Sequence, residues 1–205
     1  GAWNAGHFTE GDDVAEADLL EVIPSVDWDP PPSGLEGLIA LPNGVFAGFL
    51  GNKVYLSEPG VPSAWPATYI QAFPYDVVGL GFFGTNVVVI TTGYPYLLYG
   101  EDPAQMGRLG YAELAPGVSK RGIAMGRDGV FYPAADGLYR VDLNGVVKVT
   151  GNLFDAESWS ALSPSTMAGA FHRGRYIGFR GSGGGIILDF DARTYAPFSI
   201  NARGA

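Results

Sequence analysis

Hydrophobic and polar positions alternate along most of this chain in short bursts broken by glycine, and the bursts recur. From Gly37 the chain reads GLIALPNGVFAGFLGNKVYLSE: a short apolar strand, an Asn43-Gly44 turn, an alternating strand, a Gly51-Asn52 turn, and a third strand ending in a carboxylate. The pattern returns from Gly79, Gly122 and Gly169, so that successive anchors lie 42, 43 and 47 positions apart. Several short strands at a period of about 40 to 50 residues mark a β-propeller-like array. Asn-Gly and Gly-Asn pairs supply the positive φ that tight hairpins need. The reading is all-β, with about four antiparallel units of three or four strands each.

The units run over about 35–73, 77–114, 118–150 and 167–200, within a domain spanning 35–201. Outer strands are expected at Tyr69 to Phe73, Tyr111 to Leu114 and Val146 to Thr150. The unbroken run Val87-Val88-Val89-Ile90 predicts a strand buried on both faces. Between the third and fourth units, Asp155 is an N-cap candidate with Glu157 in the first turn, which predicts one short helix up to Leu162.

Ahead of the repeats, residues 1–29 carry Glu10, Asp12, Asp13, Glu16, Asp18 and Glu21 and then the apolar positions Leu20, Val22, Ile23 and Val26. Such a segment reads as a solvated surface stretch feeding an edge strand or ending a preceding domain; its spacing does not fit a calcium loop. Residues 30–34, with three prolines in a row, form a stiff linker. The first residue is not Met, and the chain is expected to be a piece of a longer polypeptide.

Composition sharpens this picture. With 31 Gly and 15 Pro beside 13% aromatic residues, the chain is rich in turns yet equipped for a core, unlike a disordered segment. It has no Cys, which removes disulfides and thiolate metal sites. The net charge of −9 disfavours nucleic acid and anionic membranes as non-specific partners. No apolar run is long enough to span a bilayer, and no signal peptide or anchor is expected.

Catalytic chemistry has little to draw on. His7 and His172 are the two histidines, and His172 falls in a predicted turn. Asp27 with Asp29, and Asp189 with Asp191, are carboxylate pairs at strand spacing, the raw material of a glycosidase. The Gly181 to Gly185 run lacks the Lys-Ser/Thr of a phosphate loop and precedes a strand, so it reads as a hairpin tip. Neither a catalytic residue nor a cofactor or metal site is assigned. One regularity remains: Glu58, Glu101, Asp142 and Asp189 close the third strand of their units, and in a ring of blades they would form an acidic ring on one face.

The strings SEPGVPSAWP (Ser57 to Pro66), VVGLGFFGTNVVVITTGYPYLLYGEDPAQM (Val77 to Met106), VSKRGIAMGRDGVFYPAADGL (Val118 to Leu138) and SWSAL (Ser158 to Leu162) resemble a family of virion structural proteins of tailed bacteriophages. They fall in the same order there, and the resemblance extends from about Phe8 onward. Members often carry Cys where this chain has Gly117, and they are longer at both ends. The motif residues are Ser57, Glu58, Pro59, Trp65, Pro66, Ser119, Lys120, Arg121 and Trp159. The resemblance implies a non-enzymatic part of the tail tube, nozzle or hub, assembled in the bacterial cytoplasm and acting with other virion proteins as a homo-oligomeric ring through which DNA passes without specific binding. The competing expectations are a carbohydrate-binding module stacking sugars on Trp65, Tyr94, Tyr96 and Trp159, and a glycoside hydrolase using Asp189 or Asp191.

Overall fold

The computed structural model describes residues 29–127, 129–181 and 183–199. His7, Asp27, the acidic run and the apolar positions at 20–26 lie outside them. The described chain folds into four antiparallel sheets of four strands, each a meander in chain order. Sheet one holds β1 (Glu36–Ala40), β2 (Phe46–Leu50), β3 (Lys53–Leu56) and β4 (Gln71–Ala72). Sheet two holds β5 (Val77–Phe83), β6 (Asn86–Thr91), β7 (Tyr96–Tyr99) and β8 (Gly107–Gly110). Sheet three holds β9 (Ala124–Met125), β10 (Val130–Ala134), β11 (Gly137–Asp142) and β12 (Gly145–Lys148). Sheet four holds β13 (Ala168–His172), β14 (Arg175–Phe179), β15 (Gly185–Asp189) and β16 (Thr194–Phe198). One helix, α1 (Ala156–Ser160), precedes sheet four, and the Asp155 carboxylate accepts from the Ser158 amide as its cap.

The sheets pack face to face in chain order, with the first strands β1, β5, β9 and β13 meeting in succession. This is a propeller-like arrangement. Three apolar cores fill the three joints. Ala47, Phe49, Val54 and Leu56 of sheet one meet Val87, Val89 and Leu98 of sheet two. Val88, Ile90 and Leu97, on the other face of sheet two, meet Val130, Tyr132 and Tyr139 of sheet three. Phe131 and Leu138 then meet Trp159, Met167, Tyr176 and Leu188. The Val87–Ile90 run is buried throughout because alternate residues serve different joints.

Glycine sets the closeness of two of these approaches. A Cβ on Gly81 would lie 2.6 Å from Val130, and one on Gly79 would lie 2.6 Å from Ile123 and 3.4 Å from the Lys120 stem. Only bare backbone lets β5 lie against sheet three so closely.

Some boundaries differ from the sequence reading. The outer strand of sheet two is β8, and Tyr111 to Leu114 forms a turn closed by the Leu114 amide on the Tyr111 carbonyl. The cause is Asp102, which caps the short 3-10 turn Pro103–Gln105 and delivers the chain to β8 earlier. In sheet one, Ala67–Tyr69 is likewise a 3-10 turn, leaving β4 only two residues. His172 ends β13, exposed, and the turn is made by Arg173 and Gly174, both at positive φ. No helix among the described residues is long and apolar enough to cross a membrane.

Candidate functional site

In a meander the turns joining first to second and third to fourth strands fall on one end of every sheet. Here those turns from sheets two, three and four enclose a cleft of about 810 Å³. Its floor is a pile of phenylalanine rings. Phe131 stacks on Phe171 at 4.8 Å and on Phe190 at 5.0 Å, with interplanar angles of 15° and 6°. Its wall carries Arg140, whose Nη2 lies 2.8 Å from the Asp142 carboxylate. Asp142 also accepts from the Asn144 amide, and the buried Arg140 Nε has no hydrogen-bond partner. Leu143, at the β11–β12 turn, projects 73% exposed at the rim.

The cleft shares this end of the sheets with the four carboxylates of the third strands. Asp142 and Asp189 are the last residues of β11 and β15, while Glu58 and Glu101 lie two residues beyond β3 and β7. Three of the four are engaged locally. Glu58 accepts from the Tyr69 hydroxyl at 2.7 Å, and that bond, with burial, raises the tyrosine to about 12. Asp142 is paired with Arg140, and Asp189 accepts from Arg175 Nε at 2.7 Å. Glu101 is exposed; its backbone carbonyl accepts from Asn43 and so ties sheet two to sheet one.

The pair Asp189 and Asp191 does not face one cavity. Asp191 lines the cleft, whereas Asp189 borders a smaller depression, of about 340 Å³, on the outer face of sheet four. The Ala192 amide and then Arg175 hold the Asp189 carboxyl below its ordinary range. A glycosidase acid needs the opposite shift. Among the described residues no three His, Asp or Glu side chains converge as a metal site.

The proposed sugar platforms are occupied by the fold. Trp159 is fully buried and donates from Nε1 to the Ala134 carbonyl at 2.9 Å. Trp65 is 5% exposed and donates to the Pro62 carbonyl. Tyr96 is buried against Phe73, and the half-buried Tyr94 packs between Tyr75 and Tyr96. Burial withdraws Trp159, Trp65 and Tyr96 from sugar stacking, and Tyr94 is held between two other tyrosines.

The remaining motif residues are fastenings too. Ser57 is buried and its hydroxyl accepts from the Phe46 amide. Pro59 leads into Gly60, whose amide bonds the Gly44 carbonyl, so two turns of sheet one lock together. Pro66 opens the 3-10 turn, its carbonyl accepting from Tyr69. Ser119 donates to the Met167 carbonyl at 2.7 Å and the Arg121 carbonyl accepts from Gly169 at 2.8 Å, binding sheet three to sheet four. Lys120 crosses Gly79 to reach Glu36 of sheet one at 2.6 Å, its ammonium 5.1 Å from the Phe49 ring. The segment 119–121 therefore touches sheets one, two and four. Sequence reasoning missed this junction, although the glycine at position 79 opposite a long cation was its visible trace.

No family model and no curated protein matches the chain. Among solved structures it is similar to BamB from Moraxella catarrhalis, with 16% identity and a TM-score of 0.50 over 78% of this chain and 51% of that one. It is also similar to YCF48 from Cyanidioschyzon merolae, with 15% identity and a TM-score of 0.54 over 86% and 61%. A third is the computationally designed Ika4 protein, with 14% identity and a TM-score of 0.51 over 85% and 96%. The first two are β-propellers, and at such identities the likeness is one of fold. The chain spans about half the length of BamB.

Proposed function

We propose that this chain is a non-enzymatic structural component of a tailed bacteriophage particle, a propeller-like body of the tail tube, nozzle or hub that works through assembly contacts. The observation that carries the reading is the position of the motif residues. Ser57, Trp65, Ser119, Lys120, Arg121 and Trp159 hold turns and sheets together, and none lines the cleft. The resembling strings also reach the cleft, through Phe83, Gly84, Asn86, Gly126, Arg127, Gly129 and Phe131, but bring no described His, Asp or Glu to it, as a catalytic family would. The net charge of −9 adds a surface that repels a passing polyanion.

The test is mass spectrometry and antibody labelling of particles purified from the encoding phage. Peptides of this chain in fixed ratio to the capsid protein, with label at the tail end, are expected. Their absence from washed, infectious particles overturns the proposal.

A further inference from the structure

Each sheet has a leading face toward the sheet before it and a trailing face toward the sheet after it. The leading pairs are Val87–Leu98 and Val89–Tyr96 in sheet two, Val130–Val141 and Tyr132–Tyr139 in sheet three, and Tyr176–Leu188 in sheet four. The trailing pairs are Ala47–Leu56 and Phe49–Val54 in sheet one and Val88–Leu97 in sheet two. All of these are buried in the three joints.

Among the described residues, the same register leaves one face over at each end of the arc. On sheet four it is the trailing pair Ile177–Ile187, half-buried, with Phe179 and Phe198 in edge contact beside it. On sheet one it is the leading pair Gly48–Tyr55, flanked by Phe46 and by Leu50, which is 40% exposed. Leu38 of β1 is 59% exposed. Leu35 folds over Gly48, where a Cβ would lie 2.7 Å from it, and supplies the apolar bulk that the glycine lacks. Both faces are thus apolar in the middle. Charge sits at their margins, as Lys53 on one and the Arg175–Asp189 pair on the other.

We propose that the trailing face of sheet four docks on the leading face of sheet one in a second copy of this chain, and reciprocally, so that two chains close a ring of eight sheets. This rests on the reading of the chain as a multimeric wall, and it names the partner and the two faces. Three arguments select a second copy. The docking continues an interface the molecule already makes three times, with the same strands in the same register. One chain carries both complementary faces, and a head-to-tail contact between two arcs that each turn through half a circle closes on itself. Four sheets cover 51% of BamB, so a ring of that size has room for a second arc of the same length. Uncovered, the two faces would leave apolar patches of the kind that mark interaction sites.

The experiment is sedimentation equilibrium and native mass spectrometry on the full 205-residue chain at micromolar concentration. A species of twice 21.6 kDa is expected. Tyr55→Glu blocks one face and Ile187→Glu the other, and each should weaken association roughly a hundredfold, since a charge enters the apolar middle of a joint. Mixing the two variants should restore a heterodimer through the one joint both leave intact. If either variant fails to fold, mixing a Tyr55→Cys chain with an Ile187→Cys chain keeps the test: the native sequence has no Cys, so a disulfide between the two different chains in excess over the two same-chain products reports the contact, and its absence overturns it. A wild-type monomer, a dimer indifferent to Ile187→Glu, or no rescue on mixing overturns the proposal. A monomer found in virions sinks the ring and leaves the virion role standing; a dimer absent from virions does the reverse.

Discussion

Among the described residues, sheets two and three are covered on both faces and sheets one and four on one, and the difference is plainest between β6 and β10 and the second strand of sheet four; in β2 the side chain of Leu35 covers Gly48 and blurs it. In β6 and β10 almost every residue is buried, including neighbours that point to opposite sides. In β14 burial alternates, with Tyr176 and Gly178 inside and Arg175 and Ile177 toward the open side. A strand reads as continuous or alternating according to how many neighbours its sheet has. The terminal sheets have the composition of blades and the exposure of edges.

If the joints hold the molecule, the largest loss comes from emptying one. Trp159→Ala removes a fully buried ring from the joint between sheets three and four and leaves the Ala134 carbonyl without its donor. The expected cost is about 3–5 kcal/mol, read from the midpoint of denaturant unfolding. A cost near that of a surface substitution would mean that the joints are not where stability resides.

The comparison itself is tested by one residue type in two places. Ile90 is fully buried in the joint between sheets two and three, whereas Ile187 is half-buried on the open face. Ile90→Ala should cost about 2–5 kcal/mol. At concentrations where the chain is monomeric, Ile187→Ala should cost less than about 1 kcal/mol, because part of its surface is already in water. Equal costs would show that the face of sheet four is covered. A gap that narrows as protein concentration rises would show that a second copy covers it.

Much of this architecture was legible in the chain. The anchors Gly37, Gly79, Gly122 and Gly169 fall in or beside the first strand of each sheet, the valine run at 87–90 became the doubly buried β6, and Asp155 caps α1. These signals are local, a matter of period, run length and capping. What failed to show was one local cap and a set of distant partners. Asp102 and its 3-10 turn moved the fourth strand of sheet two forward, and spacing alone does not register that. The acidic positions were readable as a set, but Arg175 is matched to Asp189 only by the register of folded strands, whereas Arg140 stands two residues before Asp142 on one strand, a pairing that strand spacing itself offers. The cleft was invisible because Phe131, Phe171 and Phe190 come from two sheets and a turn.

A smaller effect is one of pH. The hydroxyls of Tyr132 and Tyr176 are raised above the ordinary 10 by burial, and Tyr139 is raised to about 12 by burial and its bond to Asp136. A raised tyrosine keeps its proton in the folded state, so its contribution is complete below pH 10. Above that, unfolded chains ionise first, and stability falls as pH rises toward the folded value. Alkaline unfolding is therefore expected to begin near pH 10. Tyr176→Phe should cost about 1 kcal/mol at neutral pH through the lost bond to the Gly122 carbonyl, while making the alkaline decline shallower. An unchanged slope in the variant would place the alkaline sensitivity elsewhere.

The smallest effect belongs to the contact that spans most of the arc. Lys120 bonds Glu36 at 2.6 Å across β5, but the two side chains are 44% and 58% exposed. Exposed pairs are worth about 0–1 kcal/mol and weaken with salt, so Lys120→Met should destabilise by less than about 1 kcal/mol, and added salt should shrink the difference. Methionine keeps the apolar stem lying over Gly79 and removes only the charge. What the pair supplies is placement: it links sheet one to the segment that enters sheet three, and so helps fix the curvature of the arc. If that curvature sets the spacing of the two open faces, Lys120→Met should weaken dimerisation more than it lowers the unfolding midpoint. Equal effects on both would reduce the bridge to an ordinary surface ion pair.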